Sequence, residues 1–157
     1  HYDEFDFIWA SPPCPTHSKI RKITSGEGEQ NDPKYPDMRL YQEIIFLRNV
    51  YDGDWVVENV NPYYEEILNP DKAGRHLFWS NTQVPDFETP PKDFDFTGGR
   101  MSGKEKLEEW LGIELTETTY IGNSHDPAQV LRNAVHPELG NHVFEAVTNN
   151  RQATLFE

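Results

Sequence analysis

The stretch Phe7-Ile8-Trp9-Ala10, followed at once by Ser11-Pro12-Pro13-Cys14, decides the first element of the fold. Its first four residues form a short apolar run, which is typical of a buried strand, and the proline-rich residues end that run in a turn. A long polar loop, a helical pattern over residues 37–51 and a second apolar run at Trp55-Val56-Val57 follow. This order predicts two parallel strands, with ligands bound at their carboxyl ends.

The rest of the chain shows further regular patterns. They predict a helical turn over 63–68, a strand over 76–80, a short helix over 104–111 and a helical segment over 127–147. Pro137 and Gly140 interrupt the last of these, so we expect two helical pieces joined by a bend. The stretch 84–101 is rich in proline and contains two adjacent glycines, which predicts an irregular segment.

Composition and charge exclude several classes of protein. A chain of 157 residues is one domain or part of one. Its formal net charge of −13 argues against nonspecific coating of nucleic acid, so any DNA contact requires a local basic patch. Apolar runs such as Ile44-Ile45-Phe46-Leu47 are too short to span a bilayer, and the single cysteine excludes an internal disulfide framework. With no signal segment at its start, the chain is expected to be cytoplasmic and without a membrane partner.

Cys14 is the candidate nucleophile. Prolines at positions 12, 13 and 15 restrict the backbone and exclude the α region for Cys14, so its sulfur can be aimed rather than packed. A lone cysteine outside such a loop is usually a small buried apolar residue. The loop therefore favours a chemical role for this thiol.

Four short motifs stand in one order along the chain: residues 7–14, Glu58-Asn59-Val60, Gly74-Arg75-His76-Leu77-Phe78 and Asn133-Ala134-Val135. Together they resemble the DNA (cytosine-5) methyltransferases, which have a catalytic Pro-Cys motif, a Glu-Asn-Val motif, an arginine-containing motif and a closing motif in this order. Each match alone is short enough to arise by chance. Their common order and spacing carry the resemblance.

The resemblance implies an α/β fold in which this chain holds part of a Rossmann-like methyltransferase sheet with a short irregular recognition insert. Residues 1–80 would form the catalytic part, 81–122 a short target-recognition region, and 123–157 a helical segment that returns to the methyltransferase domain. The implied reaction transfers a methyl group from S-adenosylmethionine to C5 of a cytosine that is swung out of double-stranded DNA, through a covalent cysteine adduct. The implied location is the cytoplasm of a bacterial or phage-infected cell, at the nucleoid when DNA is bound.

The resemblance also implies a role for each matched residue. Cys14 would add to C6 of the cytosine, Glu58 would hold N3 and the amino group, and Arg75 would contact the base beside the nucleophile. Because little of an ordinary thiol is ionised at neutral pH, we expect the site to help ionise Cys14. Apolar neighbours are expected to keep Glu58 protonated, so that it can share a proton with N3. Asn59 would orient the loop, and the family's arginine position falls to either Arg75 or His76.

Two further sets of residues are implied by the resemblance. Those for S-adenosylmethionine are Pro13, Asn133 and Val135. Those for DNA are Ser18, Lys19, Arg21 and Lys22, on the loop that closes over DNA in the family. The three cations within four residues are the local basic patch that an acidic chain requires for contacts with phosphates.

The chain departs from the family pattern at three places. No strand and glycine-rich turn precede residues 7–14, and the glycines of residues 25–29 follow no strand and so are no substitute. Pro15 replaces a common glutamine, and Arg132 replaces a usual glycine. We therefore expect a fragment, a subunit that requires a missing N-terminal half or a partner, or a non-catalytic DNA-binding or regulatory remnant. By analogy, compact versions of the family are expected in phages and mobile elements.

Two other kinds of site are disfavoured. Possible metal ligands are His125, Asp126, His136 and His142. They include no helix-spaced pair, so no metal site is expected. A hydrolase that uses Cys14 with His17 would require an orienting acid and an oxyanion turn, and neither stands out in the sequence.

Overall fold

The computed structural model describes residues 2–19, 35–91, 103–115 and 128–149. These ranges form an α/β fold, as predicted. The strands are β1 (Phe7–Ala10), β2 (Asp54–Val60), β3 (Asp71–Ala73) and β4 (His76–Ser80). The helices are α1 (Arg39–Val50), α2 (Lys104–Leu111), α3 (Gln129–Asn133) and α4 (Pro137–Thr148), and a 3-10 turn spans Tyr2–Glu4. No helix in the described ranges is both long and apolar enough to cross a membrane.

The strands form one mixed sheet in the order β1-β2-β4-β3. The predicted parallel pair is confirmed, because β1 runs parallel to β2 with Ala10 opposite Val57. Strand β4 runs antiparallel to β2 and to β3, so only one part of the sheet is parallel. Strand β3 was not predicted, because three residues are too few to show an alternating pattern.

Strand β1 differs from the prediction in its burial. All four of its residues are half-buried rather than buried. The reason is its position, since β1 stands at one end of the described strand order and β2 is its only neighbour there. An apolar run in the sequence does not distinguish an edge strand from a central one.

Helix α1 covers one face of the sheet because its apolar residues recur at helical spacing. Leu40, Ile44 and Leu47 are almost completely buried, as the pattern predicts. The sheet residues that pack in the same core are Trp55, Val57, Leu77 and Trp79. Burying side chains of this size contributes about 1.5–3 kcal/mol each, which explains why the helix is held here.

Directly after α1, the side chain of Tyr51 packs closely against Gly53. Tyr51 is extended, and its hydroxyl donates a hydrogen bond to the carbonyl oxygen of Phe5 at 2.5 Å. A Cβ at position 53 would lie only 2.1 Å from that hydroxyl oxygen. Glycine is therefore required at position 53 for the tyrosine to reach across to the segment before β1.

The helical turn predicted over residues 63–68 is wrong, because this segment contains only bends. The Tyr63 N–H donates to the carbonyl oxygen of His17 at 3.0 Å, and Pro62 forms an isolated antiparallel bridge with Ser18. Leu68 and Asn69 then adopt the left-handed region with φ of 65° and 45°. A right-handed helix cannot continue through such residues.

The chain divides into two compact units, His1–Phe87 with His142–Glu157, and Glu88–Asn141. In the second unit α2 and α3 share a small core of Leu107, Leu111, Ala128 and Leu131. The two helical pieces predicted over 127–147 are confirmed. The break lies at residues 134–136, Pro137 begins α4, and Gly140 is accommodated inside that helix. Residues 84–91 are irregular as predicted, and 92–101 lie outside the described residues.

Candidate active site

Cys14 lies on the loop that leaves the carboxyl end of β1. Its carbonyl oxygen accepts hydrogen bonds from the N–H groups of His17 at 2.9 Å and Ser18 at 3.0 Å, so a tight turn follows directly. The cysteine itself is half-buried. The thiol is therefore neither packed into the core nor fully open to water.

Asn59 connects this loop to the carboxyl end of β2. Its side-chain amide donates to the carbonyl oxygen of Pro12 at 3.0 Å, and its Oδ1 accepts from the N–H of Val60 at 2.9 Å. The asparagine is 2% exposed, so water competes little for these bonds. The expectation that Asn59 orients the loop agrees with these contacts.

Glu58 is an acidic side chain within a strand, buried to 6% exposure. It lies opposite Phe78 in the register of β2 with β4, on the sheet face turned away from α1. His76 lies diagonally across on the same face and donates from Nδ1 to Oε1 of Glu58 at 2.6 Å. The sequence did not reveal this pair, since the β2–β4 register that creates it follows from tertiary structure.

Arg75 stands at the tip of the turn between β3 and β4. Ala73 pairs with His76, so Gly74 and Arg75 form a two-residue hairpin loop. Gly74 has φ of 57°, which such a turn requires and glycine adopts without strain. The side-chain amide of Asn61 donates to the carbonyl oxygen of Arg75 at 3.3 Å, which ties this turn to the end of β2.

Cys14, Glu58 and Arg75 lie close enough for their charges to act on one another. Burial is the main reason that the pKa of Cys14 is raised, and the negative charge of Glu58 raises it further. The N–H of Cys14 and the guanidinium of Arg75 lower the pKa but do not compensate. The thiol is therefore protonated at neutral pH, and the expectation that the resting site ionises it is wrong. The physical reason is that desolvation and a nearby carboxylate both disfavour the thiolate.

The buried side chain of His17 anchors the loop that carries Cys14. It is 1% exposed, and its Nδ1 is hydrogen-bonded at 2.5 Å to the hydroxyl of Tyr64, which lies 2.8 Å from the hydroxyl of Tyr41. Burial lowers the pKa of His17, and the nearby carboxylate of Asp37 opposes this shift. The imidazole is therefore occupied by a tyrosine rather than by Cys14, which disfavours a cysteine–histidine hydrolase.

Pro13 lines a cleft of about 500 Å³ beside the cysteine loop. The charged residues around it are Asp37, Arg39 and Glu43. The Asp37 carboxylate accepts from Nε of Arg39 at 2.9 and 3.0 Å, and this pairing lowers the pKa of Asp37 to about 2. Two of the three charges around the cleft thus neutralise each other.

The other residues implied for cofactor and DNA are less closely defined. Asn133 is exposed at the end of α3, and Val135 is half-buried in the segment before α4, both in the second unit. Ser18 is half-buried at its bridge to Pro62, and Lys19 is exposed. Arg21 and Lys22 lie outside the described residues. The binding roles of these residues remain predictions.

The histidines considered as metal ligands have other partners where the structure describes them. His136 donates from Nε2 to the carbonyl oxygen of Trp110 at 2.9 Å, and its Nδ1 accepts from the N–H of Glu138 at 3.3 Å. His142 donates from Nε2 to the carbonyl oxygen of Pro85 at 3.0 Å. Within the described ranges no group of three His, Cys, Asp or Glu residues is arranged to hold a metal ion.

Comparisons of the chain with models of known protein families, with curated proteins and with solved structures find no match.

Proposed function

We propose that this chain carries the base-activating part of a DNA (cytosine-5) methyltransferase, built on part of a Rossmann-like sheet. The observation that supports the proposal most strongly is the grouping of Cys14, Glu58 and Arg75, whose charges act on one another. They come from three separate places in the sequence: the loop after β1, the end of β2, and the β3–β4 turn. These are the residues that the resemblance assigns to attack on the base.

The position of the group in the sheet supports the same proposal. In α/β sheets, ligands bind outside the carboxyl ends of parallel strands. Cys14 follows the carboxyl end of β1, and Glu58 lies two residues before the end of β2. The bond from Asn59 to Pro12 holds these two ends together.

The chemistry that this group can perform is nucleophilic addition to a cytosine ring. The thiol proton of Cys14 passes through water to the carboxylate of Glu58, Sγ forms a bond to C6, and the electron pair of the C5=C6 double bond moves towards C5. Glu58 passes that proton to N3, so the adduct is neutral. C5 is then nucleophilic. If it takes a proton from water, loss of its original hydrogen to water, return of the N3 proton through Glu58 to sulfur and release of Sγ restore cytosine with an exchanged hydrogen and the free thiol.

The protonated resting thiol is compatible with this sequence of steps. A carboxylate at Glu58 disfavours the thiolate. A cytosine that binds Glu58 through a protonated N3 places a positive charge beside that carboxylate, and so offsets its effect on the sulfur. Ionisation of Cys14 would thus be coupled to binding of the correct base, which limits side reactions of a free thiolate.

The described residues do not fit a complete site for S-adenosylmethionine, the methyl donor that the resemblance implies. A glycine-rich turn after a parallel strand is the usual cradle for such a group. In this structure β1 is followed by Ser11-Pro12-Pro13 and β2 by Asn61-Pro62. Pro13 lines a cleft in which Arg39 is already paired with Asp37. We therefore propose that this chain activates the base.

The proposal is tested by trapping the C6 adduct on DNA that contains 5-azacytosine, whose ring nitrogen at position 5 is protonated after attack. We expect a covalent protein–DNA complex on a denaturing gel, with the DNA attached at Cys14 in the peptide map. The Cys14→Ser variant should form none, and Glu58→Gln should form it at least about 100-fold more slowly. Glu65→Gln changes an exposed acid on the loop after β2 and serves as the control.

A second candidate is a DNA-binding or regulatory protein that has kept this scaffold without catalysis. The raised pKa of Cys14 is the observation that favours this candidate. A thiol that stays protonated is a poor nucleophile, and DNA binding alone does not require a reactive thiol. DNA binding without any adduct would support this candidate and overturn the proposed chemistry.

A further inference from the structure

Glu58 and His76 form a buried hydrogen bond on the sheet face opposite α1. Their side chains are 8% and 4% exposed, and the Nδ1–Oε1 distance is 2.6 Å. The β2–β4 register determines the position of this pair, because it places His76 diagonally opposite Glu58. Burial of two polar groups costs free energy that hydrophobic residues at the same positions would not require. Stability alone does not account for this pair, and Glu58 belongs to the candidate site, so the contact points to a role there.

The contact restricts how the carboxyl group of Glu58 can be oriented. A glutamate side chain has three rotatable bonds, and its terminal torsion is broad. A hydrogen bond from the imidazole fixes Oε1, while the second carboxyl oxygen and the remaining lone pair stay available for a ligand. Recognition of a planar base edge requires the carboxyl plane to be held within about 10–20° of the productive orientation.

Arg75, the residue before His76, acts on the site in a different way. The charge of Arg75 influences both Cys14 and Glu58, whereas the hydrogen bond of His76 is made to Glu58. The ring of His76 also lies 6.3 Å from that of Phe78, which limits the directions in which the imidazole can turn. Adjacent positions on one hairpin therefore act on Glu58 in two ways, Arg75 through its charge and His76 through a hydrogen bond.

We infer that His76 is a positioning residue: through its hydrogen bond to Oε1 it holds the Glu58 carboxyl in the orientation that engages N3 and the amino group of a cytosine. This inference rests on the proposed function and goes beyond it. It distinguishes the two consecutive residues of the arginine-containing motif. Arg75 acts through its charge on the thiol and on the carboxyl group, whereas His76 acts through a hydrogen bond to the carboxyl group.

The experiment measures release of tritium from DNA of mixed sequence that is labelled at cytosine C5, with no cofactor added. The release reports addition of Cys14 and return of the base, so it isolates the step in which Glu58 takes part. His76→Asn retains an N–H donor near the position of Nδ1, His76→Gln moves the donor one bond further away, and His76→Leu removes it. The binding constant for DNA and the thermal unfolding midpoint are measured for each variant.

We expect the release rate at saturating DNA to fall by about 10- to 100-fold in His76→Leu, with DNA binding unchanged within about threefold. His76→Asn should recover most of the rate and His76→Gln much less. If His76→Leu does not fold, the comparison of asparagine with glutamine decides, because both are polar and of similar size. A purely structural role predicts instead that the rates of all variants follow their unfolding midpoints.

The outcomes separate this inference from the proposed function. Tritium release by the wild-type chain that is unchanged in all folded His76 variants overturns the positioning role alone. No release by the wild-type chain overturns the proposed function, and the role of His76 with it. Release that is lost in His76→Leu and His76→Gln but kept in His76→Asn supports both.

Discussion

The side-chain amide of Asn59, at the end of β2, donates a hydrogen bond to the carbonyl oxygen of Pro12, two residues before Cys14. One buried contact thus joins the strand that carries the acid to the loop that carries the thiol. The distance between the two chemical groups is set by this bond and by the parallel β1–β2 pairing.

Replacing Asn59 by leucine should loosen the cysteine loop. The carbonyl oxygen of Pro12 would lose its donor inside the protein, which costs about 1–3 kcal/mol of unfolding free energy. Urea unfolding measures this cost, and the rate of adduct formation with 5-azacytosine DNA should fall with it. The control is Asn49→Ala, which removes an exposed hydrogen bond to the carbonyl oxygen of Ile45 and should cost less than about 1 kcal/mol. Equal costs at the two positions would contradict a special role for the Asn59 bond.

The pH dependence of thiol alkylation should reveal the charges around Cys14. Because burial and Glu58 raise the pKa of Cys14, alkylation by iodoacetamide should have its midpoint at a higher pH than in a short cysteine peptide. Glu58→Gln removes a negative charge and should lower the midpoint, whereas Arg75→Gln removes a positive charge and should raise it. The chain has one cysteine, so the signal is unambiguous. Shifts in the opposite directions would show that these three groups are not neighbours.

His17 should make the protein less stable in mild acid. Its pKa is lowered in the folded state by burial, so below its ordinary titration range the unfolded chain binds a proton that the folded chain does not. The unfolding free energy should therefore decrease as pH falls through about 6.5 and below. The difference in unfolding free energy between wild type and His17→Gln, measured by urea unfolding from pH 7.5 to 5, should show this loss. A difference that does not change with pH would show that folding leaves the pKa of His17 unchanged.

Gly53→Ala should destabilise the first unit. The new Cβ would overlap the hydroxyl of Tyr51, which must move and give up its bond to Phe5. We expect a loss of about 1–3 kcal/mol, measured by thermal or urea unfolding. Gly140→Ala is the matched control, since a Cβ there meets nothing within 4 Å and the site is helical. That variant should gain about 0.5–1 kcal/mol. A loss at both positions would show that the effect is not specific to the tyrosine contact.

Calorimetric titration with S-adenosylmethionine should give a dissociation constant weaker than about 1 mM for this chain alone. The described residues include no glycine-rich turn after β1 or β2 to receive the cofactor. Micromolar binding would show that other residues of the chain complete the pocket.

Much of the fold follows from local patterns in the sequence. Helix α1 and strand β4 were predicted nearly to their ends, because their apolar residues repeat with the period of their structure. Strand β2 is longer than its apolar run, since the antiparallel pairing with β4 carries Glu58 and Asn59 into the ladder. The helical turn predicted over residues 63–68 is absent for a related reason. The tertiary contact of Tyr63 with His17 outweighs the weak local preference of this segment for a helix.

For the candidate site too, the sequence predicts some features and not others. Cys14, Glu58 and Arg75 could be selected from the sequence, since they fall in motifs. The partners that set their properties could not. Two examples are the bond of His76 to Glu58 and the contact of His17 with Tyr64, which join residues far apart in the chain. No spacing rule encodes such contacts, because they depend on strand register and on loop closure.

The parallel pairing of β1 with β2 also has a consequence for folding. Phe7 must find Asp54 across most of the first third of the chain, whereas β3 and β4 are joined by a two-residue turn. Contacts that close long loops form late, and a strand such as β1, which has β2 alone beside it among the described residues, is released early. Cys14 would therefore reach its place in the candidate site at the last stage of folding and leave it at the first stage of unfolding. Thiol labelling in dilute denaturant would report the loss of β1 before the rest of the sheet melts.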